Sequence, residues 1–552
     1  MQLAPEVGRN NTHMKRWKLG GFWKQYVMLA WVLLGSAAAQ SPSPSGSPSP
    51  SNSPSNSPSS SPSYSPGGSP SYSPSSSAPA PGPSLGAGGN GSCSFNYSQA
   101  LSANKPGQGV GGLGIALASD GSVALLSGSP ASDSQAASAY IYSFYTTAGQ
   151  YNSCPQEIRD PAPLSGLRWG SSYALSGDAS VILVGAAGRV LSGAVYGGQD
   201  RGIDGKVYVY KLPELPGATR GYSVTDQPFV PPANTKSPFF GSGGVAATVG
   251  GDTVFVAAPV APQPTPQLSA LYGNASVFVY TRSTDGKGWT AAQTLPAPSG
   301  ANNTDFGRKV VVSDLGKWLV VSDPQFVTGP QSCGIFGAMP GYVTSGQVYV
   351  YQQQGDQSYK LTQTLQGNTT SATGFGTDID LSADGSVLVV GMPDSIASPR
   401  LVKVYALENN AYVERANITA PAGAPENSRF GQQVSVSGDG QLLVVHAPLP
   451  YARTFTPGPT NNDAGGRIYS FKLVKGSNGV SVAPQTSMVC PNNQYISTQR
   501  TCEDFGSTLA LSANGKLLLT SGGFPGPPET LGTYVYQTQN CISPSTTSAP
   551  SV

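Results

Sequence analysis

Phe375–Pro393 reads FGTDIDLSADGSVLVVGMP, and Val402-Lys403-Val404-Tyr405 follows after a short interval. Ile379 and Leu381 alternate with Asp380 and Ser382, the period of two expected of a half-buried strand. Asp384-Gly385 predicts a tight two-residue hairpin, because glycine tolerates the positive φ such a turn needs. Val387-Leu388-Val389-Val390 is unbroken apolar, the pattern of a strand covered on both faces. The stretch therefore predicts two antiparallel strands, and Val402–Tyr405 predicts a third.

The cassette recurs, and fixed-period self-similarity governs everything else in the chain. Repeat one is read from Leu113-Gly114, Ser129-Pro130 and Ala139–Tyr142; repeat two has Trp169-Gly170, Gly185–Ala187 and Lys206–Tyr210. Repeat three has Phe240-Gly241, Ala257–Pro259 and Val277–Tyr280; repeat four has Phe306-Gly307, Ser322–Pro324 and Gln347–Tyr351. The sixth carries Phe430-Gly431, His446–Pro448 and Arg467–Phe471, the seventh Phe505-Gly506, Gly523–Pro525 and Thr533–Tyr536. Successive starts lie roughly 55 to 75 residues apart, with the variation in the loops. Further strands, such as Tyr359–Leu365 and Trp289–Leu295, follow the Val-Tyr strands.

These Phe-Gly and Gly-x-Pro cassettes resemble the FG-GAP repeats of the integrin α-subunit head, over roughly Cys93 to Cys541. The resemblance implies an all-β, seven-bladed β-propeller with four antiparallel strands per blade. Only sixteen residues follow Tyr536, so the seventh blade lacks material for its outer strand. Cys93–Leu101 (CSFNYSQAL) is the spare candidate, and an N-terminal strand is expected to complete the last blade and close the ring. That closure brings Cys93 near Cys541 and predicts a disulfide between them, while Cys490 and Cys502, in one loop, are expected to pair. Cys154 and Cys333 remain without an assigned geometry.

The segments outside the repeats have other compositions. Residues 1–39 carry Lys15, Arg16, Lys18 and Lys24, then the apolar Val27–Leu34, then Ala37-Ala38-Ala39, the pattern of a cleavable secretory signal. The apolar run is shorter than the ~20 residues of a membrane span, so no transmembrane anchor is expected in the mature chain. Residues 40–92 are Ser-Pro-rich, with no charge from Ser41 to Ser84, and predict an extended polyproline II stalk that cannot bury a core. The SPSYSP units at Tyr64 and Tyr72 resemble the hydroxyproline-rich, extensin-like stalks of plant and green-algal wall glycoproteins. That resemblance implies O-glycosylated prolines and residence in an extracellular matrix or cell wall. Residues 542–552 form a disordered tail by composition. Six sequons (Asn90, Asn96, Asn274, Asn302, Asn368 and Asn417) mark candidate surface glycans in a secreted chain.

Composition narrows the chemistry. With 30 basic and 28 acidic residues the chain has no nucleic-acid footprint. His13 and His446 are its two histidines, too few for His-based metal sites or a Ser-His-Asp triad. Integrin-type blades carry DxDxDGxxD calcium loops, whereas here each turn offers about one acid: Asp120, Asp178, Asp252, Asp314, Asp384, Asp439, and Asn514 in the last. No metal or other cofactor is therefore expected, and the Asp-Gly pairs read as hairpin chemistry. The acidic run Asp200–Gly205 reads as a solvated loop and Ser283–Trp289 as a hairpin rather than a sialidase Asp-box. The longer connections at 190–204, 261–273, 325–345 and 449–465 all join second to third strands, so they should share one face of the disc. Tyr196, Tyr272, Phe326, Phe336, Tyr342, Tyr451 and Phe455 in them are the candidate ligand contacts. The expectation is a non-enzymatic, secreted glycoprotein of the extracellular matrix or cell wall, its head binding a protein or glycan in adhesion. A lectin or a polysaccharide-acting enzyme is the alternative.

Overall fold

The computed structural model describes Ser94–Gln539 apart from 104–108, 130–136, 164–166, 192–200, 212–220, 261–273, 299–304, 329–342, 368–372, 394–399, 425–427, 449–465, 492–494, 501–504, 524–530 and a few single or paired positions. The signal, the stalk, the tail and four cysteines (Cys93, Cys333, Cys502 and Cys541) lie outside the described residues.

The opening stretch folds as Ile379–Leu381 and Val387–Met392, followed by Leu401–Glu408 and Ala411–Thr419, in one sheet with that strand order. This is blade 5. Blade 1 is built from Gly109–Leu117, Val123–Ser129, Ser138–Tyr145 and Gln156–Arg159; blade 2 from Arg168–Leu175, Val181–Ala187, Lys206–Lys211 and Ser223–Val224. Blade 3 holds Val245–Ala247, Thr253–Ala258, Ser276–Arg282 and Trp289–Pro296; blade 4 holds Val310–Val312, Trp318–Asp323, Gln347–Gln353 and Tyr359–Gln366. Blade 6 comprises Gln433–Val436, Leu442–Ala447, Arg467–Gly476 and Gly479–Met488. In blade 7, Leu509–Leu511, Leu517–Gly523 and Leu531–Gln539 are joined by Ser94–Leu101. The chain is a seven-bladed, all-β propeller.

The N-terminal strand closes the ring as expected. Ser94 faces Gln539 and Leu101 faces Thr533 in antiparallel register, with a bulge between Tyr97 and Gln99. A second closure lies nearer the axis, where Thr508 Oγ1 donates to the Gly111 carbonyl (2.6 Å) and Thr533 Oγ1 to that of Val110 (3.1 Å).

The hydrophobic core consists of wedges between blades. Val387 and Val389 pack toward blade 6, with Phe430 and Leu443, while Leu388 and Val390 pack toward blade 4, with Trp318 and Val348. Strand alternation thus supplies two seams from one run, which is why Val387–Val390 needs no polar residue. The aromatic of each Phe-Gly pair enters the seam with the preceding blade: Phe375 beside Val348, Phe430 beside Val387, Phe505 beside Leu442. In blade 1 this position belongs to Val110-Gly111, not Leu113-Gly114. Val110 is buried against Val535 and Gly111 has φ +85°, whereas Leu113 is 53 % exposed. A run of five residues rich in glycine, with no aromatic, hid the equivalence.

The hairpin turn also differs from the expected two-residue form. Ser382 N–H donates to Val387 O (2.9 Å) and Gly385 N–H to Ser382 O (2.8 Å), so a type I turn followed by left-handed Gly385 (φ +74°) spans the gap.

Candidate functional site

The turns decide what the carboxylates at the expected calcium positions can do. Asp384 accepts the Ser382 hydroxyl (2.8 Å) and the Ser386 amide (2.8 Å), and Ser382 Oγ accepts the Val387 amide (2.9 Å). Burial works against its charge, yet these bonds hold the Asp384 carboxyl below its ordinary range. Asp178 and Asp439 repeat the arrangement with Ser176 and Ser437, and Asn514 with Ser512. Asp178, Asp384 and Asp439 are thus spent on their own turns, whereas Asp252 stands 3.5 Å from Arg282. The serine two residues before each of those three, overlooked in the sequence, is the partner that makes the turn. Among the described residues no group of three or more His, Cys, Asp or Glu is placed to hold a metal ion.

The seven turns meet around the axis in a ring of backbone hydrogen bonds. Ser119 N donates to Gly177 O (2.8 Å), Asp178 N to Val249 O (2.9 Å), Val249 N to Asp314 O (2.9 Å) and Asp314 N to Ala383 O (2.8 Å). Ala383 N then donates to Gly438 O (3.0 Å), Gly438 N to Ala513 O (2.7 Å), and Asn514 N to Ser119 O (3.3 Å), returning to the start. A cavity of ≈ 140 Å³ lies against this ring, lined among others by Ser119, Asp314, Asp380, Val436 and Ala513.

Asp378 and Asp380 are the charged groups of the blade 5 inner strand, and strand geometry places them on one face, two residues apart. They answer the unpaired edge of the next inner strand. Asp378 Oδ2 accepts Val434 N–H (2.9 Å); Asp380 Oδ2 accepts Val436 N–H (2.8 Å) and the Ser435 hydroxyl (2.9 Å). On the other side Lys309 Nζ stands 3.0 Å from Asp378. The Asp378 charge raises the Lys309 pKa, but the lysine side chain is 46 % exposed, so water screens the pair and its net contribution is small. Burial lifts the Asp380 pKa to about 6, against the hydrogen bonds from Val436, Leu381 and Ser435 and the charge of Lys309. The pKa of Asp314, which also lines the cavity, is raised by burial and then by the Asp384 charge. Asp314 and Asp380 thus both line the cavity, and burial raises both carboxyl pKa values.

His446 is structural. Its Nε2 lies 2.9 Å from the Phe505 carbonyl, which can only accept, so Nε2 carries the proton and the ring bolts blade 6 to blade 7. Burial depresses its pKa to about 3. Asp204 caps the amide of Ser237 (2.7 Å), and Ser283 closes its hairpin through Gly286 N (2.9 Å).

All seven candidate ligand residues (Tyr196, Tyr272, Phe326, Phe336, Tyr342, Tyr451 and Phe455) lie outside the described residues. The strands flanking them do place their connections at one end of the blades, opposite the turn ring. Of the sequons, Asn96, Asn274 and Asn417 are described and exposed, and Asn90, Asn302 and Asn368 are not described. Cys490 is buried and disulfide-bonded. Its expected partner Cys502, and the expected pair Cys93 and Cys541, lie outside the described residues. Cys154 is a free, exposed thiol.

No protein-family model and no curated protein matches the sequence. Solved structures similar to the chain include a candidate 6-phosphogluconolactonase from Bacteroides fragilis (12% identity, TM-score 0.43, 78% of this chain and 95% of that one). A second candidate 6-phosphogluconolactonase, from Bacteroides uniformis, matches at 12% identity and TM-score 0.40, over 68% of this chain and 87% of that one. The WD40 repeats of RRP9 match at 11% identity and TM-score 0.40, over 81% of this chain and all of that one. The expectation of a non-enzyme is corrected here: candidate 6-phosphogluconolactonases stand among the similar structures. At this identity and TM-score the likeness assigns no reaction.

Proposed function

We propose that the chain is a secreted glycoprotein of the extracellular matrix or cell wall, whose propeller head binds a protein or glycan partner through the connections between second and third strands. The propeller fold is compatible with protein binding. One observation carries the reading: these connections leave a closed, stiff ring from a single end, with the longest in blades 2, 3, 4 and 6. A rigid scaffold with variable loops on one side suits recognition, because ordering costs are met before the partner arrives. The basic-apolar-small leader and the Ser-Pro segment support secretion and a tethering stalk. The Phe-Gly pairs entering successive seams support kinship with FG-GAP repeats.

The test is binding of the full secreted chain to immobilised matrix proteins and wall glycans, compared with variants in which 329–342 or 449–465 is shortened to Gly-Ser. Binding should fall at least tenfold on shortening and survive Arg415→Ala on the rim. Binding indifferent to both shortened loops would overturn the reading. A second reading, action on a matrix polysaccharide, draws on the two partly buried carboxylates, Asp314 and Asp380, that line the cavity at the turn ring. It requires that oligosaccharide release be measurable and be lost in Asp380→Asn.

A further inference from the structure

We propose that N-linked glycans on Asn96, Asn274 and Asn417 shield the outer strands of blades 7 and 5 and the loop end of blade 3. The proposal rests on the secretory reading above. In Asn417-Ile418-Thr419, strand alternation turns Asn417 and Thr419 outward while Ile418 is buried, 5 % exposed, in the seam between blades 5 and 6. The acceptor and its hydroxyl share an open face. The Asn417 amide donates to Glu414 Oε1 (2.8 Å), and a glycosylated nitrogen keeps one proton for that bond. Asn96 stands exposed on the closing strand opposite Gln537, beside Tyr97, which is 46 % exposed. Asn274 is exposed where the chain enters the third strand of blade 3, while Ala275 is 3 % exposed in the next seam. Each asparagine points out while a neighbour anchors the backbone (Ile418, Ala275 and, beside Asn96, the partly buried Phe95), so a glycan costs no packing.

In the transfer, Asn Nδ2 bonds to the anomeric carbon of a lipid-diphosphate-linked oligosaccharide. The anomeric C–O bond breaks, lipid diphosphate leaves, and Nδ2 loses one proton. Both rim sites lie on fourth strands, whose outer edges present unpaired backbone groups. Such an edge is a template for pairing with another chain, and a glycan beside it blocks the approach.

The full chain is expressed in a eukaryotic secretory host twice, with its own leader and with a heterologous one. N-glycosidase treatment in ¹⁸O water should convert Asn96, Asn274 and Asn417 to labelled aspartate in peptide mass spectra. Each Asn→Gln variant should lose the mass of one glycan. Secreted protein with these three asparagines unlabelled overturns the proposal. Labelling with the heterologous leader but no export with its own supports the proposal and removes the secretory reading. The Asn96→Gln, Asn417→Gln double variant should shift from monomer to dimer and larger species by light scattering; a monomer identical to wild type overturns the shielding role.

Discussion

Asp380 and His446 flank blade 6 on its two seams, and their protonation runs in opposite senses. Asp380 has a folded pKa of about 6, above the ordinary 3.8, so the native state holds more protons than the unfolded chain between those values. Its contribution to stability is greatest below about pH 4 and declines as pH rises through 6. His446, depressed from 6.5 to about 3, binds its proton more readily when unfolded, so its contribution is lost as pH falls from 6.5 toward 3. Substitution separates them. Relative to Asp380→Asn, wild-type stability should fall between pH 4 and 6 in thermal melts. Relative to His446→Gln, it should rise over the same interval. Parallel curves for either pair would show that the group does not titrate as its burial requires. His446→Ala, which removes a buried ring and the bond to Phe505, should cost about 2–4 kcal/mol by chemical denaturation at pH 7.

Between residues and disc stands a motif that spans neighbouring blades. Gln363, on the fourth strand of blade 4, accepts Tyr412 N–H (2.7 Å) and donates to Tyr412 O (2.8 Å) in blade 5. Tyr412 in turn donates its hydroxyl to the carbonyl of turn residue Gly385 (2.6 Å). Gln293 holds Tyr359, Gln156 holds Tyr222 and Gln99 holds Tyr151 in the same way. Each tyrosine reaches the carbonyl at its own turn. Gln363→Ala would leave both Tyr412 backbone groups without this partner, and about 1–3 kcal/mol of stability should be lost, with faster amide exchange at Tyr412. Gln363→Glu, which keeps an acceptor but loses the donor, should fall between. The Phe-Gly glycines are a second such device. A Cβ on Gly506 (φ +89°) would lie 2.2 Å from His446 Cδ2, whereas one on Gly286 (φ +70°) meets nothing within 4 Å. Gly506→Ala should therefore cost well over the ~1 kcal/mol expected of Gly286→Ala in a denaturant titration, where the backbone penalty acts alone.

At the scale of the disc, the repeat was legible because one physical task, filling a seam from both sides, recurs with every blade. Val387–Val390 announces it through composition alone. The Gln–Tyr clasp was not legible: its partners lie 49 to 66 residues apart and no local pattern joins them. Nor was the use of Asp378 and Asp380, whose meaning depends on the open edge of a neighbouring strand. The closing strand was read by subtraction, and it carries the most exposed prediction. Ser94–Leu101 satisfies the edge of Leu531–Gln539, places Leu101 in the seam between blades 7 and 1, and contributes Gln99 to the clasp on Tyr151. Register sets Ser94 against Gln539, and the expected partners Cys93 and Cys541 lie just outside the described residues at the two ends of that pairing. A chain beginning at Ala103 should lose cooperative unfolding, bind a hydrophobic dye and self-associate through the exposed edge. A CSFNYSQAL peptide added in trans should restore the monomer, whereas a scrambled peptide should not. A Cys93→Ser, Cys541→Ser variant tests the crosslink expected from the sequence: it should stay folded but melt several degrees lower, since a bond there would restrain a loop of several hundred residues. If the truncated chain were monomeric and as stable as the whole, closure by the N-terminal strand would not be what holds the ring.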